Sequence, residues 1–401
     1  MTPTNIAGSA STGRRNVLIL AICQALSMSG ASLVMTVSAL AGQMVATDKS
    51  LATVPLAMQF TATMLSTIPA SLLMGRIGRR AGFTIGQIIG LLGAGLACWA
   101  LFLGDFWLFV LGSSIIGVHN AFWQYYRFAA ADTAGQEYKA RAISYVLAGG
   151  VIAALLGPQI SKWSVDLFSP VFFAGGYIAI TVLSFLTIIL LQLINIPKPN
   201  VSNLIGGGRL LTEIIRQPKF ILAVMAAMFG YGAMNLVMTA TPLAMNICGF
   251  DFSSTATVIQ AHVLAMFAPS FFTGHLIKRF GIVNVIIAGT MFTTGAIVFN
   301  LLGVNITNFA CGLILIGLGW NFMFIGGTTL LTETYQPEEQ AKVQALNDFL
   351  VFGTVATTSF SSGAIQEKLG WTAINTSVAL PIILVFISAI WFKFLSPKSP
   401  V

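Results

Sequence analysis

LVMTVSALA, Leu33 to Ala41, returns as LVMTATPLA, Leu236 to Ala244, and this repeat decides the fold. The offset is 203 residues, and it recurs. It places Arg76 and Gly78 on Arg279 and Gly281, and Lys139 and Ala142 on Lys342 and Ala345. Three separate matches at one spacing make the chain two copies of a single unit.

Outward from the repeat, the sequence reads as membrane helix. Of 401 residues, 56% are hydrophobic and 8% charged, which in a soluble domain would leave large apolar patches in water. A helix of about 20 mostly apolar residues crosses a hydrocarbon core roughly 30 Å thick and satisfies its own backbone amides on the way. Twelve such stretches lie near residues 16–40, 51–74, 82–103, 107–128, 141–162, 170–194, 219–246, 254–276, 283–303, 308–331, 342–363 and 371–393. The expected fold is therefore all-α and integral to the membrane, with six-helix bundles at 1–194 and 219–401. Between them, residues 195–218 contain NIPKPNVSNLIGGGRLLTE and read as a linker with a short surface helix near Arg209 to Arg216.

The net charge of +8 needs no nucleic acid to explain it. With the N-terminus inside, 17 of the 20 Lys and Arg fall on the cytoplasmic side, and only Lys49, Lys162 and Lys368 fall outside. That asymmetry orients the helices and puts both termini in the cytoplasm of a bacterial cell, the protein lying in the inner membrane. GRRNVLILAIC at the start has the look of a secretory signal, but the repeat requires that it be kept as the first helix. The cysteines Cys23, Cys98, Cys248 and Cys311 show no CxxC spacing, so neither a disulfide framework nor a metal site is indicated, and no cofactor is expected.

The loop after the second stretch reads SLLMGRIGRRAG, and the loop after the eighth reads GHLIKRFG. Together with the duplicated six-helix layout, these resemble the major facilitator superfamily and its signature between helices 2 and 3. Arg76, Gly78, Arg79 and Arg80 match in the first copy, and Gly274, Arg279 and Gly281 in the second. Gly75 and Lys278 stand where the family carries an acid. The resemblance implies a monomeric secondary transporter that works by alternating access, with helices 1, 4, 7 and 10 around a central cavity. A cytoplasmic gate is expected in which Asp132 meets Arg76 or Arg79, and Glu333 meets Lys278 or Arg279. Solvated charges that only set topology are the alternative.

Ionisable or amide groups inside the membrane are costly and therefore point to function. HNAFWQYYRF, His119 to Phe128, sets Asn120, Trp123, Gln124 and Arg127 on one face of the fourth helix, bordered by His119 and Tyr126. Arg127 either attracts an anionic group or snorkels to the headgroups. GWNFMFIGGTT, Gly319 to Thr329, gives a similar stripe of Trp320, Asn321, Phe324 and Thr328. The seventh helix adds Tyr231 and Asn235 with Met234 and Met238, and the first adds Gln24, Ser32 and Thr36. Rings and amides without acids suit a flat, polar, neutral or weakly anionic heteroaromatic solute. His119, His262 and Asp348 are the candidates for proton coupling, against structural histidines and a locally paired aspartate.

Within the superfamily the chain resembles proteobacterial riboflavin carriers, which makes flavin uptake the leading expectation. Gly157 and Pro158 in GGVIAALLGPQ resemble part of an antiporter motif, so proton-driven efflux of hydrophobic compounds is the alternative. Against cationic drugs, the first helix carries no acid. A membrane-embedded acyltransferase using His119 or His262 is more remote, because no acid or nucleophile accompanies either in sequence. The chain is thus not expected to be an enzyme.

Overall fold

Residues 3–133, 139–196 and 208–395 are described by the computed structural model; the side chains of residues 3–12, Asp132, Lys139 and Arg141 are among those outside that description. Among the described residues the regular elements are all helical. They are α1 (Pro3–Val45), α2 (Val54–Ile77), α3 (Arg79–Leu103), α4 (Phe106–Trp123, resumed at Tyr126–Thr133), α5 (Lys139–Ser164) and α6 (Ala174–Leu191). The second series is α7 (Pro218–Ile247), α8 (Phe252–Phe267 with Ser270–Phe280), α9 (Ile282–Leu302), α10 (Ile306–Thr332), α11 (340–369) and α12 (371–395). Nine described helices are long and apolar enough to cross a membrane, and α8 adds a tenth as a pair bent by 42°. One of the nine is the run Lys342–Phe394, which Gly370 (φ 78°, ψ −177°) breaks into α11 and α12. The remaining member of the twelve is α5, 26 residues long.

The chain divides into two compact units, residues 1–47 with 54–201, and residues 48–53 with 202–401. In the first, α1 packs on α5 and α6, α3 on α4 and α6, and α2 on α4. Leu20 and Cys23 of α1, Met74 of α2, Phe83 of α3, Phe122 and Tyr126 of α4 and Leu191 of α6 share one buried core. In the second, α7 packs on α10 and on the run containing α11 and α12, and α10 packs on α8 and α9.

The repeated arginine loops owe their glycines to backbone geometry. Gly78 (φ 93°, ψ 157°) and Gly281 (φ 88°, ψ 150°) separate α2 from α3 and α8 from α9, in a region that side chains exclude. Each donates its N–H to the fourth residue before it, Met74 at 2.9 Å and Ile277 at 2.8 Å. Every one of these positions is related by 203. The offset then changes, because α9 has 21 residues where α3 has 25. Asp105 and Asn305 cap α4 and α10 by the same bond, to the N–H of Leu108 and of Asn308, at a spacing of 200. The close crossings agree. A Cβ on Gly117 would come 2.1 Å from the Gln59 carbonyl oxygen, and one on Gly317 would come 2.8 Å from that of His262. Asn120 is thus the counterpart of Trp320, and Gln124 that of Phe324, a register that a single offset of 203 conceals.

Where the linker meets the second unit, one ion pair organises the end of the chain between the halves. Arg209 donates from Nε to Glu339 Oε1 at 3.0 Å and from Nη2 to Oε2 at 2.7 Å, while its backbone N–H reaches Oε1 at 2.6 Å. The Gln336 N–H supplies a further bond at 3.0 Å, and Arg209 Nη2 also holds the Thr334 carbonyl at 3.0 Å. Of the expected surface helix, Leu211–Ile214 is present, a single turn. The Arg209 guanidinium first, then the Gln336 N–H, pull the Glu339 carboxyl down to about 2. Because the bound value lies below the ordinary one, the clasp is complete above about pH 4.5 and weakens as pH falls towards 2. In hydrogen exchange, Glu339→Gln is expected to expose the amides of residues 209–217 at neutral pH. The native protein should show the same rise only on acidification below about pH 4.5.

Candidate functional site

In the second unit, rings from four helices gather at the middle of α10. Trp320 and Phe324, one helical turn apart, stack with centroids 5.1 Å apart and planes 10° from parallel. Tyr231 of α7 stands edge-on to both, at 5.4 Å and near-perpendicular angles of 85° and 80°. Phe267 meets Trp320 at 5.8 Å, and Phe352 of α11 lies 6.3 Å from Tyr231. Each such contact adds about 0.5–1.5 kcal/mol beyond burial and holds the ring faces in place. Tyr231 and Phe324 are half-buried, while the Trp320 indole is buried with its Nε1 hydrogen unbonded among the described residues. A buried N–H without an acceptor is costly, which sets this indole apart from the rings around it. Phe267 and Phe352 were not legible in the sequence. One precedes the break of α8 before Pro269, the other sits in an apolar run, and only packing brings them to this cluster.

The amides expected beside these rings do other work. Asn235 donates from Nδ2 to the Val355 carbonyl (3.1 Å), Thr358 Oγ1 (3.0 Å) and Ser359 Oγ (2.7 Å), fastening α7 to α11. Asn321 gives Nδ2 to the Met266 carbonyl (2.6 Å) and Ser270 Oγ (2.7 Å), and accepts from Thr273 Oγ1 (2.7 Å). It therefore bridges the break in α8, whose backbone Pro269 interrupts. Met234 and Met238 are buried at 1% exposure each, as packing, and Thr328 bonds back to its own helix at Phe324.

In the first unit, α4 stops within the expected stripe. Gln124 and Tyr125 form a turn between its two pieces, so Asn120 and Trp123 lie before the break and Arg127 after it. Trp123 Nε1 donates to Asn120 Oδ1 at 3.0 Å, which occupies the amide oxygen and leaves the Asn120 N–H pair as the donor. Trp123, Gln124 and Arg127 are half-buried. Tyr126 turns the other way. It is fully buried, edge-on to Phe83 at 4.6 Å, and accepts from Gln87 Nε2 at 2.8 Å, so it belongs to the core of the unit. Gln24 is 5% exposed, with its Oε1 unbonded among the described residues, and Ser32 Oγ is likewise buried and unbonded. Thr36 bonds back to the Ser32 carbonyl. A small, partly open cavity lies among Ser27, His119, Asn120 and Ser184.

Both candidate histidines lie at helix crossings. His119 Nδ1 is 3.0 Å from the Gly86 carbonyl of α3, and His262 Nδ1 is 2.7 Å from the Leu313 carbonyl of α10. A carbonyl can only accept, so each Nδ1 carries a proton and each ring bridges two helices. Asp348 is exposed on α11, with Asn347 Nδ2 donating to it at 3.1 Å.

The family model for the Major Facilitator Superfamily matches residues 19–352. The chain belongs to that superfamily. It is 40% identical over 385 residues to the riboflavin transporter RfnT of Brucella anthropi, covering 95% of this chain and 96% of that one. It is also 28% identical over 400 residues to an uncharacterized transporter of the superfamily, YddS of Bacillus subtilis, covering 94% and 91%. Its fold superposes on a D-xylose–proton symporter with a TM-score of 0.74 at 12% identity, over 97% of this chain and 98% of the other.

Membership in the superfamily makes the chain a membrane transporter and bears out the expected all-helical fold. The gate expected of the family is only partly visible. Glu333 pairs with Lys219 at the start of α7, 3.1 Å away, rather than with Lys278 or Arg279. The helix ends decide this. Glu333 ends α10, which packs directly on α7, and both partners are about half exposed, so the pair is worth little in energy. Arg279 lies over the neighbouring Phe280 ring, 5.3 Å from its centroid, and Lys278 is exposed beside it. Arg76 is exposed and Arg79 half-buried, while the side chain of Asp132 falls outside the described residues. The antiporter-like Gly157 has a packing reason of its own, since a Cβ there would come 2.6 Å from Ser32 Cβ where α5 crosses α1. Fastening and binding roles separate experimentally. Asn321→Leu strips three hydrogen bonds and is expected to destabilise the purified carrier by about 1–3 kcal/mol. Asn120→Leu, which removes one, should move thermal unfolding far less.

Proposed function

We propose that this chain takes up riboflavin or a closely related flavin by alternating access, from the bacterial inner membrane and as a monomer with both termini in the cytoplasm. The observation that carries the proposal is the 40% identity to a riboflavin transporter along nearly the whole of both chains. The chemistry of the faces supports it. In the second unit, Trp320, Phe324 and Tyr231 offer flat apolar surface at fixed angles, with an indole N–H lacking an acceptor among the described residues. An isoalloxazine ring has a π-face for the first and carbonyl oxygens for the second. In the first unit, the Asn120 amide hydrogens, half-buried Gln124 and the Gln24 oxygen supply hydrogen bonds without fixed charge, and Arg127 attracts the more electron-rich end of the solute.

Asn321 and Tyr126 do not contact substrate in this reading, because their polar atoms are engaged between helices, and Asn235 is grouped with them because its Nδ2 fastens α7 to α11. His119 and His262 each bridge two helices through Nδ1, and Asp348, exposed on α11, is the group that couples uptake to protons in this reading. The arginine and lysine positions at the gate steady one conformation of each half.

A strain unable to synthesise riboflavin should grow on micromolar riboflavin when given this gene, and failure despite good membrane expression would remove the flavin assignment. In vesicles, Trp320→Ala or Phe324→Ala should lower uptake about tenfold, as loss of a stacked ring implies. Asp348→Asn should abolish stimulation by an imposed pH gradient while leaving binding intact.

A further inference from the structure

In the first unit α1 and the start of α3 meet the C-terminal end of α6, and each of the three carries a polar group there beside an outward apolar stripe. Arg15 of α1 donates from Nη2 to the Leu193 carbonyl at 2.8 Å, just beyond the C-terminus of α6. Arg80 of α3 donates from Nη2 to Gln192 Oε1 at 3.0 Å. Gln192 is itself held, with Nε2 donating to Thr84 Oγ1 at 3.2 Å and to the Ile188 carbonyl at 3.1 Å. Asn16 and Asn195 exchange two bonds beside it, at 2.7 and 3.3 Å. Both guanidiniums are exposed, and each uses one of its five N–H donors on a neutral acceptor. Four donors on each remain for an anion.

One and two helical turns deeper, the same faces are apolar and outward. Leu18 and Ile22 follow Arg15 and are 62% and 42% exposed; Ile88 and Leu92 follow Arg80 and Thr84 and are 44% and 60% exposed. Ile189 and Phe185 precede Gln192 at the same spacing, 49% and 54% exposed. A fixed pair of cations above three apolar stripes is complementary to an amphiphile with an anionic head and hydrocarbon tails. The charge distribution favours that partner. Arg14, Arg15, Arg76, Arg79 and Arg80 share this end, and the first-half acids on the same side of the membrane are Asp132 and Glu137. The opposite choice is made in the second half, where Arg209 and Lys219 each have a carboxylate. Orientation of charge alone would leave the two arginines free in water, whereas here they are braced on α6.

We propose that Arg15 and Arg80 bind the phosphate of an anionic phospholipid of the cytoplasmic leaflet, whose acyl chains lie along α1, α3 and α6. The site keeps the lipid annular and oriented, and it steadies α6 against α1 and α3. Basic sites of this kind recognise headgroups through charge-assisted, geometrically fixed hydrogen bonds.

The test uses the full-length protein in nanodiscs of phosphatidylcholine containing a minority of phosphatidylglycerol, with retained lipid counted by native mass spectrometry and stability followed by thermal unfolding. The native protein should retain phosphatidylglycerol and unfold at higher temperature than in phosphatidylcholine alone. Arg15→Gln and Arg80→Gln should each weaken retention about fivefold. Arg80→Lys should keep most of it, and Arg216→Gln, an exposed arginine of the linker region, should keep all. Equal losses in Arg216→Gln and the two site variants would show diffuse attraction and overturn the proposal. So would equal stabilisation by inorganic phosphate, which would make the site one for free anions rather than lipid. Should a Gln variant fail to fold, competition on the native protein decides: excess phosphatidylcholine displacing phosphatidylglycerol freely would also overturn it.

Discussion

Hydrocarbon accepts and donates no hydrogen bonds, and in this chain that single constraint sorts the polar residues into two sets. A side-chain amide or imidazole buried among membrane helices must find a partner on another helix or wait for one to arrive. Asn321 in the second unit and Tyr126 in the first have found theirs, and Asn235 and Gln87 have done so through their NH2 groups, so that each fastens one helix to the next. His119 and His262 do so through backbone carbonyls. Gln24 and Trp320 retain buried atoms with no bond among the described residues, as do Asn235, Gln87 and His262 at their second polar atoms.

The two halves answer the same backbone plan with different chemistry. Their turns, caps and crossings coincide: Gly78 with Gly281, Asp105 with Asn305, Gly117 with Gly317. At equivalent points, however, α4 carries Asn120 and Gln124 where α10 carries Trp320 and Phe324. One half offers hydrogen bonds and the other flat rings. Acids follow a similar asymmetry. The second half neutralises its linker and helix-end cations with Glu339 and Glu333, and the first leaves Arg15 and Arg80 to neutral acceptors and to the membrane.

Reading along the chain identified the duplicated helices, their glycine turns and the aromatic content of the tenth helix, because hydrophobic run length, positive-φ turns and repeat spacing are local properties. It placed Asn321 and Asn235 with the substrate because helical spacing says which residues share a face, and nothing about which neighbour that face meets. Tyr126 faces the core of its unit for a related reason: the periodicity assumed an unbroken fourth helix, and Gln124 and Tyr125 form a turn within it. Glu333 was matched to the loop cations by analogy between loops, whereas helix packing brings Lys219 nearer.

By itself, then, the sequence determined that this protein spans the membrane as twelve helices in two related halves, since the cost of exposing apolar side chains to water and backbone amides to lipid accrues residue by residue. Only the tertiary structure decided which polar groups are already engaged. A hydrogen bond between helices depends on crossings set by the packing of residues far apart in sequence, such as Arg15 on Leu193, 178 positions away, or Arg209 on Glu339, 130 away, and that distance is invisible to any local pattern.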